Sequence, residues 1–251
     1  MNKEAAMAVV TQLKPTGGAE PPIAPTASEA SIELCWLPLG AGGWFVKLNG
    51  RIWEATHASL ERRRPLDLYH TALVVRVPEG RFVVENCWPI PNADGPSRGV
   101  VVEGPVGSRR MGRWRVFRYE VRRWRDGVIA DADDAVASPQ LLSDDPVVAR
   151  RLLDLVGALP SPVWGRDELR TGEMWNSNSV IAWLLARSGL PTDAIRPPAG
   201  GRAPGWEAGL VTAHRQQQSD RRARPDVEDA TAPVGGQRWQ QWPDALPRRI
   251  A

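Results

Sequence analysis

Up to about residue 125, apolar and polar positions trade places at short range, in the runs "SIELCWLPL" (31–39), "GWFVKLNGRIWEAT" (43–56), "YHTALVV" (69–75), "GRFVVENCW" (80–88), "GVVVEGPV" (99–106) and "WRVFRYEVRRW" (114–124). Each is rich in β-branched and aromatic residues, which predicts strands. Short turn signals divide them: "VPEGR" (77–81) joins two runs closely enough for a hairpin, and Asn49-Gly50 marks another tight turn. If Glu79-Gly80 is the two-residue turn, Pro78 faces Arg81, Val74 faces Glu85, Ala72 faces Cys87 and His70 faces Pro89.

Beyond residue 143 the apolar period lengthens. "DDPVVARRLLDLVGAL" (144–159) opens with acidic residues and Pro146, then places Val148, Leu152, Leu155 and Val156 at helical spacing. "GEMWNSNSVIAWLLARSGLP" (172–191) predicts a second, amphipathic helix stopped by Gly189. Strands first and helices afterwards predict an α+β domain, an antiparallel sheet packed against a few helices, over residues 31–210. The Ala-, Pro- and Ser-rich leader (1–30) and the polar, charge-mixed tail (211–251) read as flexible flanks, with "RWQQWPDALPRRI" the one stretch of the tail able to dock.

Composition narrows the function classes. Against 29 acidic residues stand 32 Lys plus Arg, a formal charge of only +3, so there is no strong nucleic-acid signal. "RRMGRWRVFRYEVRRWR" (109–125) does interleave Arg with aromatics, as single-strand binders do. As a strand, however, it sets Phe117, Tyr119 and Val121 on one face and Trp114, Val116, Arg118 and Glu120 on the other, an ordinary half-buried pattern. The two cysteines, Cys35 and Cys87, support neither a disulfide framework nor a zinc site, and no phosphate-cradling loop precedes a helix, so no cofactor and no metal is expected. With no secretory h-region and no transmembrane segment, the expected location is cytoplasmic. The sequence is silent on oligomeric state.

The candidate chemistry lies in the first turn of the second helix, where Trp175, Asn176, Ser177, Asn178 and Ser179 crowd together. One short polar side chain suffices to cap a helix, at about 1 kcal/mol. The rest are either redundant caps or include a side chain held at the positive helix end to react. Of the three histidines, His57 reads as an exposed loop residue, His214 lies in the tail, and His70 sits inside an apolar strand. His70 is either a satisfied structural residue or a base. The hairpin register above puts Glu85 on His70's face but roughly 13 Å along it, whereas a one-residue shift would bring Asn86 there instead. Cys87 shares that face as an alternative thiol, and the twelve tryptophans are either core residues or the lining of an acyl groove.

"YHTALVV", "GRFVVENCW" and, about a hundred residues on, "WNSNSVIAWLL" together resemble the circularly permuted papain-like (NlpC-type) group, which includes relatives of lecithin:retinol acyltransferase. "PPAGGRAPGW" (197–206) is also similar to a segment of some bacterial members. The resemblance spans roughly residues 31–210 and implies that His70 is the base, with Glu85 or Asn86 as third polar residue. Ser177 occupies the place of the usual nucleophilic cysteine, and Trp175, Asn176 and Asn178 are substrate contacts. It implies an acyl hydrolase or transferase acting on amides, esters or thioesters. Serine in place of cysteine removes the nucleophile that is partly thiolate near neutral pH. Three readings therefore stay open: a Ser-His-acid acyl enzyme, an inactive relative binding a small acylated or peptide-like ligand in the groove, and an interaction domain.

Overall fold

A computed structural model describes residues 30–39, 54–88, 99–129 and 131–223 of the chain. The run from Trp44 to Trp53 with its Asn49-Gly50 turn, most of the leader and the "RWQQWPDALPRRI" stretch lie outside those residues. The architecture is α+β. Strands β1 (Ser31–Pro38), β2 (Asp67–Val77), β3 (Gly80–Cys87), β4 (Val100–Pro105), β5 (Arg118–Arg125) and β6 (Gln140–Ser143) form a sheet in the order β4-β5-β3-β2-β1-β6. Their pairings are antiparallel. A two-residue strand, β7 (Gly201–Arg202), runs parallel to the start of β2.

Helices α1 (Pro146–Leu155), α2 (Ser177–Ser188) and α3 (Trp206–Ala223) gather on one face of this sheet. The expected signals set the ends of the first two. The Asp145 side chain accepts from the backbone N–H groups of Val147 and Val148 while Pro146 fills the first helical position. Gly189 closes α2 with φ of 94°, a left-handed value that glycine adopts without strain.

The core shows why α2 is not amphipathic in place. The sheet supplies Ile32, Leu34 and Trp36 from β1, Tyr69, Leu73 and Val75 from β2, and Tyr119 and Val121 from β5. Against these pack Leu152 and Leu153 of α1 and the run from Val180 to Leu185 of α2. Every α2 residue except Arg187 is buried, because α3 covers the side that the sheet does not. Close approach there needs Gly209: a Cβ at that position would meet the Ser179 carbonyl oxygen at 2.2 Å.

Several expectations are corrected. The hairpin pairs Val77 with Gly80 and Arg76 with Arg81, so Pro78 and Glu79 are the turn residues and the register is displaced by two from the expected one. Residues 54–60 are helical, not the end of a strand, which puts His57 on a helical segment and not in a loop. Residues 111–113 and 115–117 form 3-10 turns, leaving strand only from Arg118. The domain boundary expected at residue 210 falls inside α3, where Thr212 and Ala213 are still buried.

Candidate functional site

The pairing of β2 changes partway along its length. From Val77 back to Leu73 it bonds β3, ending at the pair Leu73–Val84. Beyond that point β2 continues to Asp67, bonded to β1 and then to β7, while β3 continues to Cys87, bonded to β5. The two central strands thus part at Ala72 and Glu85. Nearly all the polar residues singled out from the sequence lie on the lips of this split or above it.

On the helix side, the first turn of α2 bridges the β2 lip. Asn178 donates its amide to the Tyr69 carbonyl at 3.0 Å and to the Pro204 carbonyl at 2.9 Å, and its oxygen accepts from the Thr71 hydroxyl at 3.0 Å. Tyr69 therefore gains from a side chain a partner that β3 does not supply. Asn176 is the N-cap: its oxygen accepts from Asn178 and Ser179, and Ser179 returns the capping box by accepting from the Asn176 N–H at 3.0 Å. The Ser179 hydroxyl also donates to the Gly205 carbonyl at 2.6 Å, and the Asn176 amide to that of Pro204 at 2.8 Å. The polar surplus thus fastens the helix to β2 and to the 204–205 turn.

Two polar residues on this side are left over. The Ser177 hydroxyl makes no hydrogen bond with the described residues, although Ser177 is only 6% exposed. Asn86, on the β3 lip, is equally buried, and neither of its amide atoms has a partner among the described residues. Two residues on from core residue Val84, Asn86 faces the α2 side of the sheet. The indole N–H of Trp206, in the adjoining core, also has no partner among the described residues.

His70 lies on the other side of the sheet. Successive side chains of a strand point to opposite faces. Tyr69, Thr71 and Leu73 face α2, while Ala72 and Val74 join Cys35, Leu37, Val83 and Ile129 in a separate small core on the far face. His70 falls with the second set, paired across the ladder with Leu37. Glu85 and Cys87 alternate with Val84 and Asn86 in the same way and share His70's face. The expected constellation is thereby divided: Ser177 and Asn86 on one side, His70 and Glu85 on the other.

The far face gathers ionisable groups. Fully buried Arg122 donates to the Glu120 carboxylate at 2.8 and 3.2 Å and lies 3.8 Å from that of Glu85. Burial pushes the Glu85 carboxyl above its usual range, and the Asp131 charge adds to this, while Arg122 and the Cys87 thiol pull the other way. Burial holds the His70 imidazole below its usual value, partly offset by Asp131, so it is neutral near pH 7. His70 thus lies on the face of the sheet opposite the first turn of α2. His57 is half-buried, and His214 is exposed on α3.

Among the described residues no group of three His, Cys, Asp or Glu side chains is placed to hold a metal ion, and no helix is long and apolar enough to cross a membrane. The tryptophans divide between roles. Trp36, Trp175, Trp183 and Trp206 are core residues, whereas Trp88 and Trp114 are half exposed. The split on the α2 side could not have been located from sequence, but its polar lip could: Asn86 was the alternative third residue beside Glu85. Comparison with known protein families, characterised proteins and solved structures finds no match to this chain.

Proposed function

We propose that the chain is a permuted papain-like domain that binds a peptide-like or acylated ligand in the split between β2 and β3, with Ser177 as a contact and not as a nucleophile. The observation that carries this reading is Asn86, a buried amide with neither its donor nor its acceptor used. An orphaned buried polar group costs about 1–3 kcal/mol, and an amide of the ligand would satisfy both atoms at once. Ser177 lies on the same face, at the α2 N-terminus, where its hydroxyl can donate to a carbonyl that the helix dipole also favours. Acyl transfer through Ser177, His70 and Glu85 has less support, because a base must come within hydrogen-bond reach of its nucleophile and the sheet stands between them.

Asn86→Leu tests the reading. Replacing the unsatisfied amide by an apolar group of similar volume should stabilise the protein by about 1 kcal/mol and abolish binding of N-octanoylglycinamide, a neutral probe carrying both an acyl chain and an amide. A thermal-melt series with and without the probe gives both results. If the wild-type protein does not bind the probe, or Asn86→Leu binds it equally well, the split is not a ligand site and Asn86 is satisfied by a buried water. Labelling of wild-type Ser177 by a fluorophosphonate, lost in His70→Ala, would restore the serine-enzyme reading.

A further inference from the structure

The far face of the sheet also holds a cavity of about 340 Å³, at the opposite end from the split. Its floor is apolar, built by Val74 of β2, Cys35 of β1 and Ile129 of the segment after β5. Ala132, Ala135 and Pro139 form the far wall. Four charged side chains edge it: Glu33, Arg76, Arg81 and Asp126.

Pairing these charges leaves one over. Arg76 donates to the Glu33 carboxylate, and Asp126 lies 3.9 Å from Arg125. Arg81 is different. Its guanidinium is half-buried and makes a single hydrogen bond, from Nη1 to the Gly127 carbonyl at 2.6 Å, and no carboxylate among the described residues is within ion-pair distance of it. A guanidinium has five N–H donors in a planar fork suited to a carboxylate, so most of its capacity is unused at the mouth of an apolar cavity. The Cys35 thiol below supplies no counter-charge, because burial and Glu33 push its pKa up by more than Arg81 pulls it down.

We infer that this cavity binds a small apolar carboxylate, its carboxylate on the Arg81 fork and its hydrocarbon part over Val74, Cys35 and Ile129. The volume lies at the lower end of the roughly 300–1,000 Å³ range of small-molecule sites, which suits a chain of a few carbons or one ring and excludes a long lipid. The site shares no side chain with the split between β2 and β3 and stands whether or not that split binds a ligand.

The test is a titration of the full chain with hexanoate, followed by amide chemical shifts, with hexanamide as the uncharged control. Saturable shifts confined to the segment from Gly127 to Ala135 and to Val74 are expected. Arg81→Gln, which keeps a donor for the Gly127 carbonyl, should weaken hexanoate by about tenfold or more. Ala132→Phe, at an exposed wall position, should block the cavity without disturbing the core, and Asn86→Leu should leave hexanoate binding unchanged. Equal binding of hexanamide, an unaltered affinity in Arg81→Gln, or no saturable shift in the folded wild-type protein would each overturn the inference.

Discussion

On the α2 side of the sheet the buried polar groups are amides and hydroxyls, and of the first-turn and lip residues all but Asn86 and Ser177 act as fasteners. Asn178, Asn176 and Ser179 between them bond Tyr69, Thr71, Pro204 and Gly205. On the far side they are ionisable, buried Glu120 and Arg122 beside half-buried Glu85 and His70, with Asp131 close enough to shift the last two. The difference follows from what covers each face. Neutral amides tolerate the dry contact between two helices and a sheet once their hydrogen bonds are complete, whereas a buried charge needs an opposite charge beside it. Polar residues alternating along β2 and β3 are thereby sorted into two chemistries, and a site that needs members of both is not assembled on either face.

The strongest way to break the far face is to remove its cation. Arg122→Met removes the guanidinium that faces the carboxylates of wholly buried Glu120 and of Glu85, and it should cost about 3–5 kcal/mol. Equilibrium denaturation would measure this, and a loss under about 1 kcal/mol would mean that water reaches the pair. Arg122→Met combined with Glu120→Gln should recover part of the loss, since the residual buried charge is what destabilises.

The corresponding break on the near face is Asn178→Ala. It orphans the Tyr69 carbonyl and takes the partner from the Thr71 hydroxyl, so a loss of about 2–3 kcal/mol is expected, with exchange protection falling first around β2 and the start of α2. Ser177→Ala should be near neutral in the same assay, because its hydroxyl makes no hydrogen bond with the described residues.

These two faces also explain how far the sequence could be read. The ends of α1 and α2 were legible because Asp145, Pro146 and Gly189 act locally, through a side-chain cap, a fixed φ and a left-handed φ. The face of His70 was not. β2 reads "DLYHTALVVRV" and is apolar on both sides from Ala72 to Val75, so its alternation cannot say which side receives the helix. The hairpin missed by two residues, which preserves every face yet puts Val83, not Glu85, opposite Val74 and ends the ladder at Leu73–Val84, before Glu85 and Cys87 reach a partner on β2. The split depends on β7 and Asn178 competing for the edge of β2, contacts more than a hundred residues away in sequence that no local pattern encodes.

The pH dependence of stability offers a smaller effect that sharpens the comparison. His70 has a folded pKa below its usual 6.5, so below that pH the unfolded chain binds more protons and stability falls as pH decreases towards the folded value. Glu85 has a raised folded pKa, so its stabilisation is present below its usual 4.5 and is lost as pH rises through the folded value, which opposes the His70 effect. His70→Phe should flatten the acid limb of the melting temperature below about pH 6.5, and Glu85→Gln should steepen it. Mutations confined to the near face, such as Ser177→Ala, should leave the profile unchanged.

The smallest expected effect is the most direct on the division between faces. Ser177→Cys places a thiol at the first position of α2, where the helix N-terminus lowers its pKa and speeds alkylation by iodoacetamide relative to buried Cys35. A neighbouring imidazole would lower it further and couple the rate to histidine protonation. With His70 on the opposite face, removing it should do neither: Ser177→Cys and Ser177→Cys/His70→Ala should alkylate at rates within about twofold of each other at every pH, since no pairwise electrostatic contact is lost. A drop of about tenfold in the double variant, with an inflection near pH 6 disappearing from the rate profile, would put His70 and residue 177 in contact and return the base to the nucleophile.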